Sequence, residues 1–288
     1  MNGLINLNKP VGPSSFQMIA QLRRLTGERK LGHAGTLDPL ASGVLPICVG
    51  KAVRLSEYLQ TDHKVYEAEV TFGVRTTTDD AEGQVIARQP VTLTREEVES
   101  VLREFVGEQE QVPPQFAAIK IGGRPLYKSA RRGQTIDVPP RHINIERLTL
   151  LGWDSPRAQV EVACTKGTYI RALARDIGER TGCGAYLTAL TRTQCGAFGL
   201  RDAVSIEALA GDWRAHLLPM DFGLQHWDAV RLDAAQTRRI LSGLSVEYDQ
   251  PFKTLVRAYD NSGHFFAVLK LDAASGSLRP EKVFQDNR

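Results

Sequence analysis

Several common protein classes are argued against by what this chain lacks. Its four cysteines, Cys48, Cys164, Cys183 and Cys195, form no Cys-x-x-Cys pair, and none of its 6 histidines stands at ligand spacing from another. A disulfide framework and a metal site are therefore not expected. No apolar run approaches the length needed to cross a bilayer, and the stretch from Met1 to Pro10 lacks the apolar core and cleavage pattern of a secretory signal. The expectation is a soluble, cytoplasmic protein with no membrane association. There is no Gly-x-Ser-x-Gly elbow of the kind that carries a hydrolase triad. Gly50-Lys51 looks like the end of a phosphate-binding loop, but Leu45 stands where that loop needs glycine, and Ala52 where it needs serine or threonine. Internal repeats and low-complexity tracts are missing too, and the net charge over 288 residues is only +3.

What is present is an apolar content of 42%, enough for a large core, on a chain long enough for two domains. Ser14 or Ser15 caps a helix reaching about Thr26, with Phe16, Ile19, Ala20 and Leu22 as its apolar stripe and Gly27 as its stop. Val44 to Val49 and Val65 to Phe72 have strand composition. In the second, Tyr66, Ala68, Val70 and Phe72 alternate with Val65, Glu67, Glu69 and Thr71, which predicts a buried face that includes Tyr66. Thr94-Arg95-Glu96-Glu97 is a capping box opening a helix through Val98, Val101, Leu102 and Phe105, closed by Gly107. Ala158 to Cys164 alternates as a strand. Gly167-Thr168-Tyr169 then leads into a helix with Ile170, Leu173, Ala174 and Ile177 on one face and Arg171 in its first turn. Beyond Pro219 a helix around Ala234 to Leu241 and strands near Thr254 to Tyr259 and Phe265 to Leu271 predict a small second domain.

Two features carry chemistry. Residues 111 to 150 hold seven basic side chains (Lys120, Arg124, Lys128, Arg131, Arg132, Arg141, Arg147) against the acids Asp137 and Glu146, amid Pro-Pro and Gly-Gly punctuation. Such a segment reads either as an arm that grips phosphates or as a solvated basic face. The second feature is Asp38 in Gly32-His33-Ala34-Gly35-Thr36-Leu37-Asp38-Pro39. Proline disfavours a helical predecessor, so Asp38 sits extended at a break in the chain. It is there either as a helix N-cap or as a carboxylate presented from a glycine-containing loop. A two-carboxylate glycosidase pairing Asp38 with Asp79 or Asp80 also remains open.

The run Asn8-Lys9-Pro10-x-Gly12 followed by Gly32 to Gly43 resembles the signature of the bacterial tRNA pseudouridine-55 synthase family, the TruB type. Further likenesses follow in order: Tyr66 on its strand, Arg75 to Gly83, Pro113 to Lys120, Lys166 to Arg171 and Gly182 to Ala185. They span roughly residues 3 to 220, with a weaker likeness to a PUA-type RNA-binding domain beyond. Ser14 and Ala34 stand where the family often has threonine.

The resemblance implies an α+β fold: a mixed, largely antiparallel central sheet with flanking helices and a basic insertion, the pseudouridine synthase fold. A catalytic domain over 1–222, with the RNA-gripping segment at about 111–142, would precede a small β-barrel-like PUA-type domain over 223–288. It implies isomerisation of a flipped-out uridine at position 55 in the T-loop of tRNA. Asp38 would be the nucleophile and Arg171 its ion-pair partner, with Asp80 on the other side of that arginine. Tyr66, Tyr169 and Leu190 would line the base pocket, and His33 would occupy the space of, or stack on, the displaced nucleotide. Lys9 and Pro10 would support the loop. The rearrangement is redox-neutral, so no cofactor or metal is expected. The partner would be the tRNA T-arm stem-loop, with no protein partner and a monomeric enzyme. A rival of another class is a non-catalytic RNA-binding or tRNA-folding protein using the same surface.

Overall fold

The computed structural model describes residues 1–60, 63–117, 119–121, 124–126, 136–248, 254–272 and 274–285. Strand β1 (Gly3–Lys9) leads into α1 (Ser15–Thr26), where Ser14 accepts the Gln17 N–H and the Gln17 side chain accepts the Ser14 N–H. This reciprocal cap satisfies two donors that the first helical turn leaves open. The buried stripe of α1 is Ser15, Met18, Ile19 and Leu22. It differs from the sequence expectation at Phe16, which is 72% exposed. The reason is a tertiary contact: Ser15, and not Phe16, turns inward, because its hydroxyl is hydrogen-bonded to the backbone of Leu37.

After α1 come β2 (Leu31–His33), β3 (Ala41–Val49), β4 (Lys64–Phe72) and the hairpin of β5 (Val74–Thr76) with β6 (Val85–Arg88). Helix α2 (Arg95–Glu104) starts at its Thr94–Glu97 capping box as expected and is followed by β7 (Gly107–Gln111). The short strands β8 (Lys120–Ile121) and β9 (Arg124–Pro125) pair with each other. Next stand β10 (Arg141–Asp154), β11 (Arg157–Cys164), α3 (Ile170–Arg180), β12 (Ala185–Cys195), β13 (Phe198–Gly199) and α4 (Ile206–Asp212).

Among the described residues nine strands make one sheet in the order β1-β3-β12-β4-β11-β10-β7, with β2 on β3 and β13 on β12. All pairings are antiparallel except that of β12 with β3. The α+β expectation with a mixed central sheet therefore holds. Buried side chains of β4, including Tyr66, Ala68, Val70 and Phe72, pack with those of α1, α2 and α3 in the main core.

The C-terminal part adds β14 (Ala229–Arg231), α5 (Ala234–Leu241), β15 (Val246–Glu247), β16 (Leu255–Tyr259), β17 (Phe265–Asp272) and β18 (Ser277–Val283). Its strands form a second sheet, β14-β16-β17-β18-β15, with its own core around Val256, Ala267 and Leu269. A shared apolar cluster joins the two sheets: Val268 and Phe284 pack with Leu4, Val44, Leu55 and Phe198. The Arg257 guanidinium adds hydrogen bonds to Gln225 Oε1 (2.7 Å) and the Trp227 carbonyl (3.0 Å). No helix among the described residues is long and apolar enough to cross a membrane.

Of the basic segment, Lys128, Arg131 and Arg132 lie outside the described residues. Arg147 is spent on Glu161 at 2.7 Å across β10 and β11. The helix that carries Arg171 lies tightly on the start of β12: a Cβ on Gly178 would fall 2.0 Å from the Ala185 nitrogen and 2.7 Å from its Cβ. Gly178→Ala is expected to lower stability by about 1–3 kcal/mol in denaturant melts. Gly211→Ala, in α4 with open space around it, should be neutral or stabilising. Equal melts for both would contradict this packing.

Candidate active site

The loop that carries Asp38 is the connection of a hairpin. Strands β2 and β3 pair antiparallel from Leu31↔Val49 to His33↔Ile47, leaving residues 34–40 to turn back. Gly35 adopts φ +89°, a left-handed conformation that costs glycine little. The Asp38 carbonyl then accepts the Ala41 N–H at 3.1 Å, closing a turn with Pro39 at its second position. The chain enters β3 directly, so Asp38 is not a helix cap.

Three contacts fix that turn. The Ser15 hydroxyl donates to the Leu37 carbonyl and accepts the Leu37 N–H, both at 2.9 Å. Lys9 Nζ, fully buried, donates to the carbonyls of Ala41 (2.6 Å) and Pro10 (2.8 Å) and reaches that of Pro39 at 3.5 Å. The Gly12 N–H donates to Pro39 at 2.8 Å. Lys9 thus holds the loop directly, and the Pro10 carbonyl accepts one of the hydrogen bonds of the same ammonium.

Arg171 projects from the first turn of α3 and is 5% exposed. Its Nε lies 2.9 Å from Asp38 Oδ2, and its Nη1 3.5 Å from Asp80 Oδ2. The Nε–H is not directed at the carboxylate, so the Asp38 contact is a close ion pair and not an aligned hydrogen bond. The remaining donors are aligned: Nη1 to the Thr78 carbonyl (3.2 Å) and Nη2 to that of Phe116 (3.1 Å). Asp80 is buried and also accepts from the Thr78 hydroxyl and the Glu82 N–H. Asp38 is 40% exposed at the edge of a cleft. Asp79 turns elsewhere, at φ +61°, to pair with Arg175 at 3.2 Å. A glycosidase pair needs two carboxyl groups flanking the substrate, with one free to deliver a proton. Asp80 is locked behind Arg171 and Asp79 is engaged by Arg175, so neither suits that task.

The cleft encloses about 550 Å³, and Asp38, Tyr66, Tyr169, Leu190, Arg171 and Arg192 are among its walls. Burial pushes the Tyr66 hydroxyl up to about 12, so it stays protonated at neutral pH. Tyr169, immediately before α3, is fastened through its backbone, which donates to Gln111 Oε1 (2.8 Å) and accepts from Gln111 Nε2 (3.1 Å). Leu190 lies between Ala41 of β3 and Ala68 of β4.

His33 is not in this cleft. It lines a second one of about 380 Å³, shared with Phe16, Phe116, Glu82 and Asp38, so that the aspartate faces both spaces. Burial, and then the charge of Arg192, lowers the pKa of His33 and favours the neutral ring. The structure therefore brings together Asp38, Arg171, Asp80, Tyr66, Tyr169 and Leu190, with Lys9 and Pro10 behind them. Sequence reasoning missed the clamp by Ser15 and the buried Arg192. Arg192 stands two residues from the inward Leu190 on one strand, a spacing that puts both on one face and marks an arginine pointing inward.

Comparison with known proteins follows the same lines. The profile described as TruB family pseudouridylate synthase, N-terminal domain, matches residues 23–170, and that of the tRNA pseudouridylate synthase B C-terminal domain matches 171–225. A protein of Stutzerimonas stutzeri (strain A1501) named tRNA pseudouridine synthase B is 42% identical over 99% of this chain and 96% of its own length. One of the same name from Ralstonia nicotianae is 44% identical over 98% and 94%. Among solved structures, an H/ACA RNP bound to a substrate RNA containing 2'-deoxyuridine aligns with TM-score 0.76 and 23% identity, covering 99% of this chain and 85% of that one. A Cbf5-Nop10-Gar1 complex aligns with TM-score 0.76 and 24% identity over 98% and 85%. At such identity these two show the shared fold.

The buried ammonium of Lys9 has a measurable consequence. Burial lowers its pKa from 10.5 to about 8, against the opposing pull of Asp38 and then Glu82. Between those two values the folded protein binds fewer protons than the unfolded one, so folding stability rises with pH across that window. Wild type is expected to gain stability relative to Lys9→Met as unfolding is measured from pH 8 to 10.5. A gap that does not change with pH contradicts this.

Proposed function

The chain belongs to the TruB family of pseudouridylate synthases and is an RNA-modifying isomerase, and from that premise we propose that it converts uridine 55 in the T-loop of tRNA to pseudouridine with Asp38 as nucleophile. The observation that carries the assignment is the ion pair of Asp38 with Arg171 at 2.9 Å, placed where the carboxylate remains 40% exposed at the edge of a cleft walled by Tyr66.

The reaction breaks the bond between uracil N1 and the ribose, turns the base and rejoins it through C5. It needs a carboxylate beside the sugar and a pocket that holds the base while it is detached. Asp38 serves the first need, either by adding to the sugar or by taking a ribose proton. Its turn is fixed by Ser15 and Lys9, so the carboxylate is in place before substrate arrives. Extruding a stacked uridine costs roughly a few kcal/mol, which stacking on an aromatic side chain offsets by about 1–3 kcal/mol. Tyr66 is the stacking partner in this reading, with Tyr169 and Leu190 as the other walls. His33, neutral and on the far side of the Asp38 loop, stacks in the space that the nucleotide vacates.

Substrate recognition follows from shape and phosphate contacts, as is usual for RNA hairpins. Arg141 lines the cleft and suits a phosphate of the T-arm. The sheet from Ala229 to Val283 serves as a PUA-type RNA-binding domain of a monomeric cytoplasmic enzyme, and the domain boundary lies at residues 222 and 223.

The test is incubation with a T-arm hairpin and mapping of pseudouridine. Wild type should modify one uridine, and Asp38→Ala should lose on the order of 10³-fold or more in rate while still binding the RNA. Unchanged product formation by Asp38→Ala overturns the assignment, and RNA binding with no product by wild type favours the non-catalytic alternative.

A further inference from the structure

Arg192 is a cation with an unusual position. It is 1% exposed, yet it is part of the cleft wall that Tyr66 and Leu190 also form. The fold puts it there by register: Arg192 of β12 stands opposite Tyr66 of β4 on one side and Gly43 of β3 on the other. The guanidinium donates from Nε to the Val44 carbonyl (2.8 Å) and from Nη2 to the Gly35 carbonyl (3.1 Å), and it reaches the Tyr66 hydroxyl. Gly35 is required by its left-handed φ of +89°, while a Cβ there would meet Nη1 only at an ordinary contact distance of 3.5 Å.

All these partners are neutral. Among the described residues no carboxylate pairs with Arg192, whereas Arg171 across the same cleft has two, Asp38 and Asp80. A buried charge without a counter-charge is costly to fold around. Carbonyl oxygens offset part of that cost and leave the net positive charge in the pocket wall.

The reaction generates the charge that this wall lacks. When the C1'–N1 bond breaks, its electron pair stays with the base, which becomes an anion with charge spread over N1, O2 and O4. This holds whether Asp38 adds to the sugar or takes a ribose proton. The C5 carbon then donates a pair to C1'; on one route the C1'–Asp38 bond breaks and its pair returns to the carboxylate, and on the other Asp38 returns the proton it took to the ribose. The proton on C5 is lost to solvent and N1 gains one, so the sum is an isomerisation with no redox change. Arg192 neither gives nor takes a proton in any step.

We propose that Arg192 is a catalytic residue that stabilises the detached uracil anion and holds it in the pocket while it turns. The inference rests on the reading of this cleft as the base pocket. A fixed positive charge beside an anion that exists only along the reaction path acts on the rate and leaves ground-state binding nearly untouched.

The experiment compares wild type, Arg192→Met and Arg192→Lys under single-turnover conditions with enzyme in excess. T-arm hairpins would carry uridine or 5-fluorouridine at the target position, with loss of the N-glycosidic linkage as the readout and RNA affinity measured separately. Fluorine stabilises the anion by itself and lessens the need for Arg192. With uridine, Arg192→Met is expected to be slower by about 10²–10³-fold, with affinity within about threefold of wild type, and Arg192→Lys to keep most of the rate. With 5-fluorouridine the deficit of Arg192→Met should shrink by about tenfold or more. A merely structural role moves both substrates equally, so equal deficits overturn the proposal, as do a wild-type rate for Arg192→Met or a loss that resides in affinity. If Arg192→Met fails to fold, the same deficit and the same narrowing with fluorine are required of Arg192→Gln, which keeps amide donors for the carbonyls and lacks the charge. If wild type leaves the uridine hairpin unmodified, the reading of the site falls. If wild type is active and fluorine changes no gap, only the role of Arg192 falls.

Discussion

The guanidinium of Arg171 gathers four separate stretches of chain at one point: the turn carrying Asp38, the segment from Thr78 to Asp80, the carbonyl of Phe116 and the first turn of α3. It is almost wholly buried, and such a charge is stable only while its partners remain in place. Removing either carboxylate leaves the arginine undercompensated, and removing the arginine leaves Asp80 buried with a charge and no cation. The site is therefore assembled as one unit. Gly178 contributes at a distance by letting α3 lie close enough to β12 to deliver Arg171.

Around that unit the loop is positioned by groups that do no chemistry. Lys9 reaches three carbonyls on both sides of the turn, and Ser15 uses donor and acceptor on the single residue Leu37. These contacts hold the Asp38 backbone while its carboxylate stays accessible, which is the division of labour that preorganised sites require. Two of the basic side chains that line the pocket, Arg171 and Arg192, differ in kind. Arg171 is balanced by carboxylates and serves assembly, whereas Arg192 is held by carbonyls and keeps its charge.

The elements were legible where periodicity is strict. The capped starts of α1 and α2 and the buried face of β4 with Tyr66 follow from local pattern, because a cap or an alternating strand needs no distant partner. Phe16 was misplaced because its helical spacing fits a core face as well as it fits the surface, and the inward turn of Ser15 depends on Leu37 in another segment. Arg192 shares the inward face of Leu190 by two-residue spacing, but the register shift between Leu187 and Ala189 puts that face out of phase with the inward residues before it, so β12 as a whole shows no continuous alternation. The pairing of Asp38 with Arg171 joins residues far apart in sequence, and no local rule reaches it. Only the resemblance to the family suggested it, and likewise placed Asp80 behind the arginine. Three of the basic residues in the segment 111–150 fall outside the described residues, and Arg147 is engaged by Glu161, so a basic count alone overstates what is available to RNA.

The most direct test of the account is a structure of this protein with a T-arm hairpin whose target nucleotide cannot complete the reaction. The account expects that base to be out of the RNA stack and seated against Tyr66 between Tyr169 and Leu190, with its C1' beside the Asp38 carboxylate. The base edge that carries the developing charge should face Arg192. A target base that remains stacked in the RNA, or lies in a different cleft with Asp38 far from the sugar, would contradict it.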